Sequence, residues 1–216
     1  MLKVSDIISD ILQHDEIAFV AFDRGLLNYS QYAKSIRSIV EEKTKKKVEL
    51  GTIVVALSRL REKLQKFPVF RPKVRILEYS IKSPLFEMTF EKTSESIDTV
   101  SWFLQEYGRK GLFSETSGVG EITLLCDDAF RKRAEEHMKI KPTVILENLA
   151  SVTVRFSDEY LEVPNTIYTL VSALAVYHIN VIEIVSTFTE LSFIVRKGDI
   201  EKTIHALSTS PELLNM

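Results

Sequence analysis

Cysteine is almost absent from this chain. Cys126 is the only one among 216 residues. No intrachain disulfide can form, and a reducing, cytoplasmic setting is the expectation. Four scattered histidines (His14, His137, His178 and His205) have no Cys or carboxylate at ligand spacing, so no metal site is expected. The seven glycines form no phosphate-cradling loop; Gly118-Val-Gly120 reads as a tight hairpin. No apolar run approaches the ~20 residues that span a bilayer. The first residues, Met1-Leu-Lys-Val-Ser-Asp, lack the apolar core of a secretory signal. No Ser/His/Asp set or carboxylate pair can be argued from spacing. The expectation is therefore a protein that is not an enzyme, carries no cofactor and does not enter a membrane.

What is present is ordinary in amount and uneven in placement. Apolar residues make up 45% and charged residues 27%, with a net charge of −2, as in a globular protein. Residues 34–75 hold thirteen Lys and Arg against four acids, a charge of +9 that leaves the remainder at −11. Such asymmetry suggests a basic module joined to an acidic one. A basic face attracts nucleic acid by releasing counterions. A solvated helix face with a Lys-rich turn explains the same charges.

Hydrophobic periodicity divides the chain. In the first third, Val4, Ile7, Ile8, Ile11 and Leu12 recur at helical spacing. A short helix fits Asp15 to Arg24, stopped by Gly25. A third helix begins near Asn28 and buries Tyr32, Ala33, Ile36, Ile39 and Val40. After the polar stretch Lys43–Lys47, a fourth spans about Thr52 to Lys66. Pro68 and Pro72 mark a linker.

The period then changes. Strand Leu85–Glu91, helix Ser94–Tyr107, strands Phe113–Thr116 and Glu121–Cys126, a helix from an Asp127 cap to Met138, and strand Thr143–Leu149 spell β-α-β-β-α-β. The order recurs: strand Val152–Phe156, helix Pro164–His178, strands Asn180–Thr187 and Leu191–Arg196, and helix Asp199–Leu207. Split β-α-β units of this kind form a four-stranded antiparallel sheet with both helices on one face. The fold class is α+β: a helical module over 1–72, then two ferredoxin-like units over 73–149 and 150–216. The second unit lacks a clear final strand. Val74–Tyr79 either supplies it, interlocking the units, or belongs to the helical module as a wing.

Asn180-Val-Ile-Glu-Ile-Val-Ser-Thr187, Glu190-Leu-Ser-Phe-Ile-Val195 and the helix Asp199–Leu207 resemble the ACT domains at the C-terminus of aspartate kinases. The resemblance covers about residues 150–207; the preceding unit matches by element order. It implies side-by-side pairing, a homodimer, and an amino acid or related metabolite as ligand. Carried over by position, the site is Val163, Pro164, Asn165, Thr166 and Ile167, with Asn180, Val181 and Ile182. Asn165 stands where the family commonly has Gly. Independently of the family, amide groups at the start of a helix favour a carboxylate. The kinase half has no counterpart; about 70 helical residues stand in its place.

The helical module looks like a helix-turn-helix or winged-helix domain. Arg59, Lys63 and Lys66 share a helix face, and Lys45, Lys46 and Lys47 precede it, placing cations where double-stranded DNA would meet a recognition helix. Glu62 and Val55 lie on the same side. Two functions remain open: a metabolite-responsive regulator that binds DNA, and a regulatory or scaffold protein whose helical module docks on a protein partner. Trp102 is expected in a core or interface, Cys126 buried, and His178 as a helix cap.

Overall fold

The computed structural model describes residues 3–63 and 71–215. The chain divides into two compact units, 1–70 and 71–216.

The first unit consists, among its described residues, of four helices: α1 (Val4–Gln13), α2 (Glu16–Asp23), α3 (Tyr29–Thr44) and α4 (Leu50–Lys63). Asp15 and Asn28 cap α2 and α3 by accepting from the amides of Ala18 and Gln31. Ile7, Ile8, Leu12, Phe22, Ala33, Val40, Ile53 and Leu57 form the core. Ile39, expected inside, is 42% exposed, because it lies one helical step off the Ile36–Val40 stripe. Gly25 turns the chain after α2 with φ of 74°, a conformation in which a side chain is strained. Leu64–Phe70, and with them the expected helix end at Lys66 and the break at Pro68, lie outside the described residues. No strand occurs among 3–63, so no wing accompanies the four helices there.

The second unit is built on one seven-stranded sheet, antiparallel except at its C-terminal strand. Its elements are β1 (Val74–Glu91), α5 (Ser94–Tyr107), β2 (Phe113–Ser117), β3 (Glu121–Asp127), α6 (Arg131–His137), β4 (Val144–Phe156), α7 (Thr166–Val176), β5 (Glu183–Ser186), β6 (Glu190–Arg196), α8 (Ile200–Thr209) and β7 (Leu213–Asn215). The strand order is β2-β3-β1-β4-β6-β5, with β7 parallel to the start of β1. Val74–Tyr79 and Leu85–Glu91, which read as two strands, are one strand. So are Thr143–Leu149 and Val152–Phe156. The first half of β1 pairs with the second half of β4, with Tyr79 opposite Val154; the second half pairs with the first, with Thr89 opposite Val144. Val74–Tyr79 thus completes the second βαββαβ set, and residues 85–149 are inserted within it. We call 85–149 the inner half and the rest the outer half.

Both helix layers cover the same sheet face. Phe86, Met88 and Phe90 pack with Val100 and Phe103 of α5 and Ala134 of α6. Val152 and Val154 pack with Leu170 and Leu174 of α7 and with Ala206 and Leu207 of α8. Leu85 and Leu149 are register partners and point the other way, into a small cluster with Leu125 and Ile194. Directly opposed residues share a face, so the helices of both halves lie on the side away from that cluster.

Local chemistry moved several boundaries. Asp127 caps no helix; its carboxylate accepts from the amide of Leu112 instead, and a single 3-10 turn precedes α6. Pro164 lies two residues outside α7, before Asn165, which has φ of 68°. β5 is limited to Glu183–Ser186: Val181 falls level with the last residue of β6 and Asn180 lies past it. Trp102 is 46% exposed and stacks on His137. His178 follows α7 in the left-handed conformation, where helices end. Cys126 is buried, and burial pushes its thiol up from its ordinary pKa.

Candidate ligand site

The end of β4 hands the chain to the start of α7 beside the β5–β6 turn. Phe156 donates its amide to the carbonyl of Thr189, pinning that turn against the strand end. The chain then makes a 3-10 turn at Asp158–Tyr160 and enters α7 through Asn165. Thr166 is buried, and its hydroxyl donates to the carbonyls of Val163 and Tyr160, which holds the loop in register with the helix. Asn165 tolerates its left-handed backbone as few non-glycine residues do.

These elements enclose an open cavity of about 510 Å³, within the range of small-ligand sites. Phe156, Leu161, Val163, Ile167, Phe188 and Leu191 supply its apolar wall. Tyr160, Asn165, Ser186, Thr187 and Glu190 supply its polar groups. Phe188 is 71% exposed at the mouth. The amides of a first helical turn have no intrahelical acceptor, and the helix dipole adds positive potential there. The Asn165 side chain makes no capping hydrogen bond to α7. A ligand carboxylate at this helix start meets amide donors, while Glu190 on the cavity lining suits a cationic group.

The inner half is built differently at the matching helix start. At the corresponding position, the end of the β1 strand leads into α5, and a capping box closes the helix. Thr93 accepts from the amide of Ser96, and Ser96 accepts from the amide of Thr93. Here two side chains close the first turn, whereas the side chain that precedes α7 makes no capping bond to that helix.

The residues expected at the site fall into two groups. Val163, Asn165, Thr166 and Ile167 line the cavity, and Pro164 sits within the same loop. Asn180, Val181 and Ile182 do not line it. They lie beyond the opposite end of α7, where the amide of Ile182 bonds the carbonyl of Ile194 and the Ile182 side chain packs on the helix-free cluster. Within one chain, α7 separates the two groups. Phe156, Tyr160, Phe188 and Glu190 were not legible as site residues. Only the β4–β6 register brings the β5–β6 turn to the start of α7. Ser186 and Thr187, at the end of a strand, also border the cavity.

In the helical unit, Lys45, Lys46, Lys47 and Arg59 are all exposed, and Lys63 ends α4; Lys66 lies outside the described residues. Lys45 has the left-handed backbone that ends α3. The turn is held from inside: the amide of Val48 donates to Glu41, and the Val48 side chain is buried. Two adjacent cavities along the start of α4 share Val4 and Thr52. One reaches Lys46 and Lys47, the other Arg59.

The comparisons with known proteins bear on the sheet unit's architecture. The ligand-free regulatory subunit of aspartate kinase from Thermus thermophilus superposes with a TM-score of 0.50 at 13% identity, over 62% of this chain and 95% of that one. Over that part of the chain the fold is similar to that of an aspartate kinase regulatory subunit. The corresponding subunit from Thermus flavus gives the same TM-score and identity over 61% of this chain. The aspartate kinase of Clostridium acetobutylicum gives 0.51 at 20% identity, and there the match spans 33% of that chain. No protein-family model matches the sequence, and no curated protein sequence does. Among the described residues, no helix is long and apolar enough to cross a membrane, and no group of three potential ligands could hold a metal ion.

Proposed function

We propose that the protein is an amino-acid-responsive regulator that binds its ligand in the cavity at the start of α7. The observation that carries the reading is the pairing of an uncapped helix N-terminus with a cavity of about 510 Å³. The ligand carboxylate lies against the first-turn amides of α7, near Asn165 and Thr166. Its ammonium group faces Glu190, and its side chain packs on Ile167, Leu191 and Phe188. Glu162 and Glu183, the other acids near this part of the sequence, do not line the cavity, whereas Glu190 does. The likeness in fold to aspartate kinase regulatory subunits supports a regulatory rather than a catalytic role.

A thermal-shift screen of the twenty amino acids tests this reading, since binding to the native state raises Tm by mass action. The expected result is a concentration-dependent rise with one or a few amino acids, abolished in Asn165→Trp, which fills the cavity from an exposed position. No shift with any amino acid at millimolar concentration sinks the ligand assignment. A pairing role for the two halves, within a homodimer, then becomes the better reading.

For the helical unit we favour binding to double-stranded DNA, on the grounds that Lys45, Lys46, Lys47 and Arg59 are exposed on one turn and the helix it introduces. Retention on mixed DNA at low salt, lost steeply as salt rises, is the expected behaviour. Absence of retention at low salt favours docking on a protein partner.

A further inference from the structure

The helix-free face of the sheet carries a pair of carboxylates that the ligand cavity does not use. Glu87, on β1 of the inner half, is 8% exposed, and its Oε2 has neither a hydrogen-bond partner nor contact with solvent. Glu183, on β5 of the outer half, accepts a hydrogen bond from the Thr116 hydroxyl on its Oε1, while its Oε2 is likewise buried and partnerless. Strand register brings them to one region of that face: Leu125 pairs with both Glu87 and Ser114, and Thr116, two residues on from Ser114, holds Glu183.

The sheet's internal symmetry shows that Glu87 is out of place. Leu85 and Leu149 oppose each other at the centre. Thr89 and Thr123 share a hydrogen bond of 2.9 Å, and the matching Thr153 and Ser192 share one of 2.7 Å. Two residues beyond Leu149 stands Ser151, a small neutral group whose hydroxyl is satisfied by Thr153. The equivalent position in the inner half is Glu87. A carboxylate therefore occupies a site whose counterpart the fold fills with an uncharged hydroxyl.

The charged groups around it are few. Arg196 on β6 attracts the ionised form, but its Nη1 also donates to the carbonyl of Glu147 on β4. The Glu147 carboxylate is taken by Arg131 of α6. On β3, Asp127 is occupied by the amide of Leu112. β2 presents Ser114 and Thr116, which carry no charge. Burial first, then the charge of Glu183, opposes ionisation of Glu87, and its carboxyl is pushed up to about 7.

We propose that Glu87 holds a proton toward Glu183 across the seam between the two halves of the sheet, and that this proton is a pH-operated latch. With Glu87 protonated, its hydroxyl donates toward the Oε2 of Glu183, and both stranded oxygens are satisfied. Release of the proton to solvent leaves two neighbouring anions in a site poor in water, where like charges ionise together only at a cost. The strain is relieved by parting the seam that Thr116 and Glu183 close. Because the folded protein holds this proton more tightly than the unfolded chain does, the contribution is complete below the ordinary carboxylate range. It is lost as pH rises through about 7.

The test needs no ligand. In the full chain, carboxyl carbon resonances of the glutamates are followed by NMR from pH 4 to 9, and Tm is measured at pH 5 and 8 for wild type, Glu87→Gln and Glu183→Gln. The latch requires one glutamate to titrate near 7, and that glutamate to be absent from Glu87→Gln. It also requires wild type to lose roughly 5 °C more than Glu87→Gln between the two pH values. Parallel Tm profiles, or no glutamate titrating above 6, overturn the proposal. If either variant fails to fold, the wild-type titration decides.

Discussion

The Thr116 hydroxyl donates a 2.6 Å hydrogen bond to the Glu183 carboxylate, joining β2 to β5. These strands stand at the two ends of the order β2-β3-β1-β4-β6-β5. In a flat sheet, five strand spacings would hold them about 24 Å apart. The bond therefore records a sheet that curls over its helix-free face until its margins meet. Thr116→Val removes the donor and keeps the shape. An intramolecular hydrogen bond contributes a net of about 1 kcal/mol. Urea unfolding is expected to show a loss of that order. In a double-mutant cycle with Glu183→Gln, the two effects should not add.

Asn165 tests backbone against side chain. With φ of 68°, Asn165→Gly is expected to fold with stability equal to wild type or slightly above it. Asn165→Val should cost about 1–2 kcal/mol, because a β-branched residue resists the left-handed region. Thermal unfolding of the pair separates the two. A ligand response that survives in Asn165→Gly shows that the turn's shape matters more than the amide.

Two phenylalanines five residues apart should behave in opposite ways. Phe193 is fully buried in the outer half's core, and Phe188 is 71% exposed at the cavity mouth. Phe193→Ala is expected to cost about 3–5 kcal/mol. Phe188→Ala should leave stability within about 0.5 kcal/mol of wild type, as exposed substitutions do. It should also weaken amino-acid binding several-fold by calorimetry. Equal ligand affinity in Phe188→Ala would remove that residue from the site.

Glu41 controls the turn into α4. The Val48 amide and the Arg37 guanidinium hold its carboxyl below the usual carboxylate pKa. A depressed folded value means that its stabilisation is present at neutral pH and is lost as pH falls through that value. Proteolysis at Lys45–Lys47 is therefore expected to accelerate toward strongly acidic pH. In Glu41→Gln the cleavage rate should be raised at neutral pH and should vary less with acid.

If the basic turn meets DNA, replacing Lys45, Lys46 and Lys47 together with Ala should flatten the salt dependence of retention. Every phosphate left without its lysine lowers the slope of log affinity against log salt by about 0.9. A slope unchanged by the triple replacement would assign any DNA binding to another surface.

Local pattern determined a good deal here. The 3.6-residue stripes of the first third, the change to alternating and continuous apolar runs near Val74, and the twofold β-α-β-β-α-β order all follow from which side chains must avoid water. The hairpin at Ser117–Gly120 and the caps at Asp15 and Asn28 follow from backbone chemistry within a few residues. Tertiary structure decided the rest, because strand register and long-range pairing depend on contacts between residues far apart in sequence. It made one strand of Val74–Tyr79 and Leu85–Glu91 and used its first half to complete the outer half. It turned Asp127 from a helix cap into an acceptor for Leu112. It carried Asn180–Ile182 to the far end of α7 from Asn165 and brought Phe188 and Glu190 to it instead. It also buried Glu87 on the face that Glu183 borders, 96 positions along the chain, where burial and that second carboxylate oppose the ionisation of Glu87.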